Sequence, residues 1–417
     1  MLALPEQAIR WRDPRLRPAW AAILLAAVLG LAFLPQVLTN SDEIYYAGQA
    51  RTMLRGRLIP VDGDPLPVER DHPAASVKVP PGWPALLMLG VGVRGMFVVA
   101  LLLHLVGAAA VARMLARRGA QPVLVVAYLF HPSLFVYSHT LMSDVPMTAA
   151  LMVAADAWED RKSGAWAVAA AILIRFAGVV AAAGMALAAR PRRRALIPAV
   201  IAVAALFAFN RAVHGTWTFT TPRAQAGFEL LTARGLAENA VLYGAGLLLL
   251  PPFSLLWLLV RPRRVDRWAL AALPILLFFL CYNYHDQSPR WWETLVGGQR
   301  LILPAHALLM MATARVWSAP WRRTWPALAV GLLAGLAGSL AMRQLAAPYR
   351  PTVASLAGCA RIGFDAESAR VALSADAREY HLLPTEVDVS VQAEGEVSHS
   401  AGTAFRFRVV GSCERAP

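Results

Sequence analysis

From Ala21 to Ala47 the chain reads AAILLAAVLGLAFLPQVLTNSDEIYYA, an apolar run closing at Leu38 and followed almost at once by the adjacent carboxylates Asp42 and Glu43. Arg10, Arg12, Arg15 and Arg17 precede the run. A signal peptide has a shorter apolar core and a small-residue cleavage site, which Leu34-Pro35-Gln36 does not supply. The run therefore reads as an uncleaved first membrane span with its amino terminus inside.

The remaining sequence extends that reading. Of 417 residues, 58% are hydrophobic and 16% charged, with a mean hydropathy of +0.49. Soluble domains carry about a quarter charged residues, so a soluble enzyme is excluded. The net charge of +14 comes almost wholly from arginine in short clusters between apolar runs. That spacing is the positive-inside pattern rather than a polynucleotide-binding face, so no nucleic-acid partner is expected. Lysine occurs only at Lys78 and Lys162.

Further spans are expected at 95–116, 121–138, 141–158, 195–212, 239–260, 268–285, 299–317 and 325–345. The stretch 164–189 breaks at Arg175 into two apolar pieces, each short of the roughly 20 residues a crossing needs, and reads as a re-entrant or shortened pair. About eleven membrane segments result. They place the basic clusters at Arg113/Arg117/Arg118, Arg161/Lys162, Arg190 to Arg194, Arg261 to Arg267 and Arg315 to Arg323 on one side, with the carboxyl terminus outside. The expected fold is an all-α polytopic membrane protein. A bundle at 1–345 includes a long first outer loop at 39–94, and a small β-containing outer domain occupies 346–417. In that tail, Val387-Asp388-Val389-Ser390-Val391 and Phe405-Arg406-Phe407-Arg408-Val409 alternate as strands, with Gly395 and Gly402 in the loop between them. Cys359 and Cys413 bracket the tail and either close a disulfide in an oxidising compartment or stay as free thiols. Cys281 falls in a span as a small core residue.

The first outer loop carries the chemistry. A carboxylate in a partly dry place beside the membrane can act as a general base. Asn40 and Glu43 can equally close a capping box, with Asp42 complementing the helix dipole. Asp62, Asp64, Glu69, Asp71 and His72 lack a metal-ligand signature; they leave a divalent cation open without requiring one. Prolines 80, 81 and 84 break any helix before the second span, and Trp83 suits the headgroup interface, which puts Lys78 at the depth of lipid phosphates. Snorkelling explains Lys78 as well. Arg175 near mid-membrane is costly without a cavity or partner, which favours a functional role. Asp144 follows Ser143 at a helix start, where it either holds the cap or meets substrate. His285, Arg290, Trp291 and Trp292 form a short outer loop, where the tryptophans suit sugar stacking or an interfacial belt. His104, His131, His139 and His306 have no ligand spacing and read as buried or interfacial polar residues.

Asp42-Glu43 with Tyr45/Tyr46 directly after the first span, then Lys78-x-Pro80-Pro81-Gly82 before the second, resembles the C-type glycosyltransferase (GT-C) superfamily. The nearest branch contains protein O-mannosyltransferases and lipid A aminoarabinose transferases. Leu141-Met142-Ser143-Asp144-Val145-Pro146 is similar to the family's opening of the fourth span, Arg175 sits between two short helices, and Gly298-Gln299-Arg300-Leu301-Ile302-Leu303-Pro304 resembles its Gly-x-Arg-Tyr-x-x-Pro motif. Leu301 departs from the family tyrosine, and the tail is unlike the domains of either named group. The resemblance implies transfer of a sugar, with inversion, from a polyprenyl-phosphate donor to an acceptor glycan, lipid or protein on the outer face. Asp42 would be the general base with Glu43 as its partner, and Lys78 would contact the donor phosphate, aided by Arg300. Tyr45, Tyr46, Arg175, Asp144, His285 and Arg290 complete the expected substrate-binding set. The expected location is a bacterial inner membrane. A lipid or sugar transporter, or flippase, is the alternative of another class, but its ionisable groups usually lie at the midplane in repeated halves. An O-antigen-ligase-like polymerase is the other, and its large outer loop usually comes late in the chain.

Overall fold

The computed structural model describes residues 9–35, 41–59, 77, 79–90, 92–159, 164–189, 196–220, 232–260, 267–282, 291–314 and 316, single positions between 329 and 340, and the segments 393–398 and 404–409. In chain order the helices are α1 (Arg17–Ala32), α2 (Ser41–Leu54), α3 (Gly82–Leu87), α4 (Gly92–Arg117), α5 (Val126–Leu129), α6 (Pro132–Tyr137), α7 (Asp144–Glu159) and α8 (Ala165–Ile174). There follow α9 (Gly178–Ala189), α10 (Ile197–His214), α11 (Ala233–Leu249), α12 (Ser254–Val260), α13 (Trp268–Leu280), α14 (Trp291–Gly298) and α15 (Leu303–Thr313). Short 3-10 turns at Pro14–Leu16, Pro122–Val125 and Gln299–Ile302 join on to them.

Four helical stretches among the described residues are long and apolar enough to cross a membrane: Pro14–Ala32, Arg94–Arg117, Ile197–His214 and Thr294–Thr313. The chain is an integral membrane protein, and its described bundle is all-α. The shorter apolar helices Ala165–Ile174 and Gly178–Ala188 are the two pieces expected on either side of Arg175.

Proline redraws several expected boundaries. The first span ends at Ala32 rather than Leu38, since the residue before Pro35 is disfavoured in helical conformation. The stretch 121–138 is a 3-10 turn and two short helices, with Pro122 and Pro132 at their starts, instead of one continuous crossing. Pro251-Pro252 likewise separates α11 from α12 inside the expected 239–260 span, and Phe253 there adopts a left-handed φ of 59°. Cys281 caps the end of α13 and is exposed, not a core residue. Most of 325–345 lies outside the described residues. In the tail, β1 (Ala393–Ser398) pairs antiparallel with β2 (Ala404–Val409), Glu394 opposite Arg408 and Glu396 opposite Arg406. The second strand is where alternation put it. Gly395, expected in the loop, lies within β1 opposite Phe407, and 387–391, Cys359 and Cys413 fall outside the described residues.

The bundle is built on α4 and α7, which pack side by side, with α8 against α7 and α10, α9 against α13, and α15 against α7 and α13. Helices α4 and α7 run parallel, as their ends demonstrate. At their carboxyl ends the Asp156 carboxylate meets Arg117 Nη1 at 3.0 Å and Arg113 Nη1 at 3.5 Å, all three side chains buried. Arg117 also donates to the Asp156 carbonyl at 2.8 Å. The Arg113 guanidinium stacks 4.0 Å over Trp11, and Arg118 donates to the Met311 carbonyl late in α15. The amino-terminal segment and these arginines therefore share one end of the bundle. The start of α7, with α2 and α3, makes the opposite end.

Candidate functional site

Asp42 and Glu43 sit in the first turn of α2, where carboxylates complement the helix dipole. Their environments differ. Asp42 is half-buried, whereas Glu43 is 1% exposed. Glu43 Oε1 accepts the Leu141 backbone N–H at 2.8 Å. The Trp83 indole N–H donates to the carbonyl of the same residue at 2.5 Å. Leu141 is thus clamped through both its backbone polar groups, fixing the chain three residues before α7 begins. Trp83 is completely buried, not interfacial as expected, because burial gives its ring a core contact and its N–H this one acceptor.

That clamp places Ser143 and Asp144. Ser143 Oγ lies 2.7 Å from the Tyr46 hydroxyl and accepts from Arg175 Nη1 at 3.0 Å. Arg175 Nη1 also pairs with Asp144 Oδ1 at 3.0 Å, the carboxylate being wholly buried. Tyr46 is buried, which pushes its phenol well above the ordinary value and keeps it neutral as a hydrogen-bond partner. Arg175 reaches this position because the helix breaks there. It follows the last residue of α8 in extended conformation, φ −153° and ψ 137°, before α9 restarts at Gly178. Two glycines permit the break. A Cβ on Gly178 would stand 2.4 Å from the Ala171 carbonyl oxygen, and one on Gly82 would stand 2.5 Å from the carbonyl of Leu173. The glycine that closes the Lys78-x-Pro-Pro-Gly segment therefore lets α3 touch the end of α8 just before Arg175. The break is enclosed by protein, with Ile172, Ile174, Phe176 and Ala177 around it all buried, the setting in which irregular backbone is tolerated in a membrane protein.

Arg300 comes from the 3-10 turn between α14 and α15 and is 3% exposed. Its guanidinium lies 6.0 Å from the Tyr137 ring centroid. Its neighbour Gln299 is fully bonded, donating to the Leu242 carbonyl at 2.8 Å and meeting His306 Nε2 at 2.9 Å. Ser133 anchors the preceding helix by donating to the Val296 carbonyl at 2.8 Å. Asp144 lies within electrostatic range of Arg175, Arg300 and Asp42. Two cations and two carboxylates thus converge at the α2 end of the bundle. The positive charge of Arg175 and Arg300 near Asp144 can attract an anion, with the half-buried Asp42 also in electrostatic range of Asp144.

Of the expected residues, the fold brings together Asp42, Glu43, Tyr46, Asp144, Arg175 and Arg300. Tyr45 is buried on the same helix. Lys78, His285 and Arg290 lie outside the described residues, although Val77 and Val79, flanking Lys78, are buried. His104, His131, His139 and His306 are all buried, the last pairing with Gln299 and packing edge-on against His131. Among the described residues no three His, Cys, Asp or Glu side chains cluster as metal ligands; the acidic segment 62–72 lies outside them. Sequence reasoning missed Ser143 as the hub between Tyr46 and Arg175, and the Leu141 clamp. Their only signal was their place beside Asp144. No protein-family model, curated protein or solved structure matches the chain.

Proposed function

We propose that the chain is an inverting membrane glycosyltransferase, moving a sugar from a polyprenyl-phosphate donor to an acceptor hydroxyl at the α2 end of the bundle. The observation that carries this reading is the convergence of the half-buried Asp42 with the Asp144-Arg175 pair and Arg300. In the reaction Asp42 takes the proton from the acceptor hydroxyl. The resulting oxygen forms a bond to the anomeric carbon on the face opposite the phosphate, and the bond from that carbon to the phosphate oxygen breaks. Arg175 and Arg300, with Lys78, receive the charge that grows on the departing phosphate. Fixed cations in a water-poor site stabilise such charge well. Asp144 and Ser143 hold the Arg175 guanidinium in place, and Glu43 holds Leu141 rather than a proton.

The α2 end is assigned to the outer face of a bacterial inner membrane. The amino-terminal Trp11 packs on Arg113 at the other end, where the positive-inside rule puts the cytoplasm. The same orientation would put the tail 346–417, of which only 393–398 and 404–409 are described, on the outer side as the separate domain that the sequence leads us to expect. The acceptor, whether glycan, lipid or protein, approaches from that side and the donor lipid from within the membrane. The test is mass spectrometry of lipids that copurify with the chain, followed by transfer in detergent. A bound polyprenyl phosphate and release of that lipid with glycosylated acceptor support the proposal; no polyprenyl lipid and no release refute it. A second reading, transport of the lipid or sugar, draws on the broken α8-α9 helix, since transporters also place ions at such breaks. It predicts no bond cleavage in detergent, where transport has no meaning.

A further inference from the structure

Helix α2 continues for more than two turns beyond the acid pair, and among its buried residues there Gln49 and Thr52 are polar, beside Tyr46, Ala47 and Ala50 of the core. Gln49 is 1% exposed and Thr52 is fully buried, yet neither the Gln49 amide oxygen and nitrogen nor the Thr52 hydroxyl has a hydrogen-bond partner. Buried polar groups in folded proteins are nearly always bonded, and an exception calls for a missing partner. The same chain treats its other buried residues of these types differently. Gln299 uses both ends of its amide. Thr148 and Thr313 turn their hydroxyls back to the carbonyls of Asp144 and Leu309, at 2.7 and 2.8 Å. Thr52 makes no such bond within its own helix.

The position is informative. Seven residues separate Asp42 from Gln49, close to two full turns, so the two share a face about 10 Å apart along the axis. Long side chains on a helix lean toward its amino terminus, which directs the Gln49 amide back toward Asp42. Thr52 lies three residues further along the same stripe, with Tyr45 on it as well. None of Gln49, Thr52 or Tyr45 is a formal ion, unlike the Arg175 and Arg300 region, so the stripe suits a neutral ligand. An amide offers an acceptor and two donors in one plane, and a hydroxyl offers one donor and two acceptor positions. That combination matches adjacent hydroxyls on a carbohydrate ring.

We infer that Gln49 and Thr52 form a sugar-reading surface on α2, bonding hydroxyls of the glycosyl group while its anomeric carbon lies near Asp42. The inference rests on the transferase reading and adds the residues that select the sugar. Binding supplies the partners that the free protein lacks, so these two residues favour the glycosylated donor over the bare lipid phosphate. Replacing them by apolar side chains of similar size removes that preference without removing anything the free fold uses.

The experiment uses the full chain in lipid nanodiscs, with Gln49→Leu and Thr52→Val compared to the unaltered protein. The probes are decaprenyl phosphate and its mannosyl, glucosyl, galactosyl and arabinosyl forms, with binding and thermal unfolding both measured. The expected result is that the unaltered protein prefers at least one glycosylated form. Each variant should lose that preference by tenfold or more, hold decaprenyl phosphate within twofold, and melt no lower than the unaltered protein. Retained preference in both variants overturns the inference. A lowered melting temperature in both also does so, since it assigns the side chains to the fold or to a structural water. An unaltered protein that binds decaprenyl phosphate but prefers no sugar overturns the inference alone. One that binds none of the lipids overturns the transferase reading along with it.

Discussion

The two ends of the bundle each bury arginine against aspartate, and they do it differently. At the α4-α7 carboxyl ends, Asp156 sits between Arg113 and Arg117, which also takes the Asp156 carbonyl, all on unbroken helices. At the other end Asp144 meets Arg175 on a chain break, with Ser143 and Tyr46 completing the network and Arg300 and Asp42 near enough to act on its charge. The first arrangement joins two helices through regular secondary structure. The second interrupts a helix to deliver a guanidinium and leaves a carboxylate half-exposed beside it. Similar residue chemistry thus joins two regular helices in one place and gathers around a helix break in the other, where the proposed reaction is set, and the backbone makes the difference.

Substitutions at the two ends should separate stability from turnover. Asp156→Ala is expected to have a large effect on the fold. It leaves two buried guanidinium groups without their carboxylate and costs about 3–5 kcal/mol, while transfer per folded molecule stays unchanged. Thermal unfolding in detergent alongside specific activity checks this; equal loss of both would erase the contrast. Arg175→Met should differ in turnover: it also strips the buried Asp144 of its partner and destabilises the fold by a comparable amount, but it lowers transfer per folded molecule by roughly 10²- to 10³-fold through lost stabilisation of the leaving phosphate. Transfer kinetics with a defined lipid donor would read it. Glu43 then sharpens the comparison inside the acid pair. Glu43→Ala orphans the buried Leu141 N–H at about 1–3 kcal/mol, whereas Glu43→Gln retains an acceptor and should keep most activity. Abolished transfer in Glu43→Gln would make Glu43 the base instead. Smallest is Trp83→Phe, which removes one donor from the Leu141 carbonyl, a loss of about 1 kcal/mol seen as a modest drop in melting temperature.

Much of this was legible in the residues themselves. Apolar length and arginine spacing identified a membrane protein, and the single arginine at 175 located the broken helix because no continuous apolar stretch can absorb it. Proline positions are visible too, but their consequence does not show in hydropathy. Pro122 and Pro132 divide an apolar stretch that hydropathy alone reads as continuous, since hydropathy does not register a missing N–H. The site was half legible. Asp42, Asp144, Arg175 and Arg300 are conspicuous because charge in an apolar chain demands a reason. Ser143 and Trp83 are not, for their roles depend on contacts across as many as 97 positions, the separation of Tyr46 from Ser143, and no local pattern records such a distance.

The central claim is that Asp42 removes the acceptor proton. It is tested most directly by supplying Asp42→Asn protein with glycosylated decaprenyl phosphate and acceptor, then measuring both donor binding and release of free decaprenyl phosphate. The account predicts donor affinity within about threefold of the unaltered protein and release slowed by roughly 10²- to 10⁴-fold, the range spanned by general bases. Release at an undiminished rate, with binding intact, would contradict it.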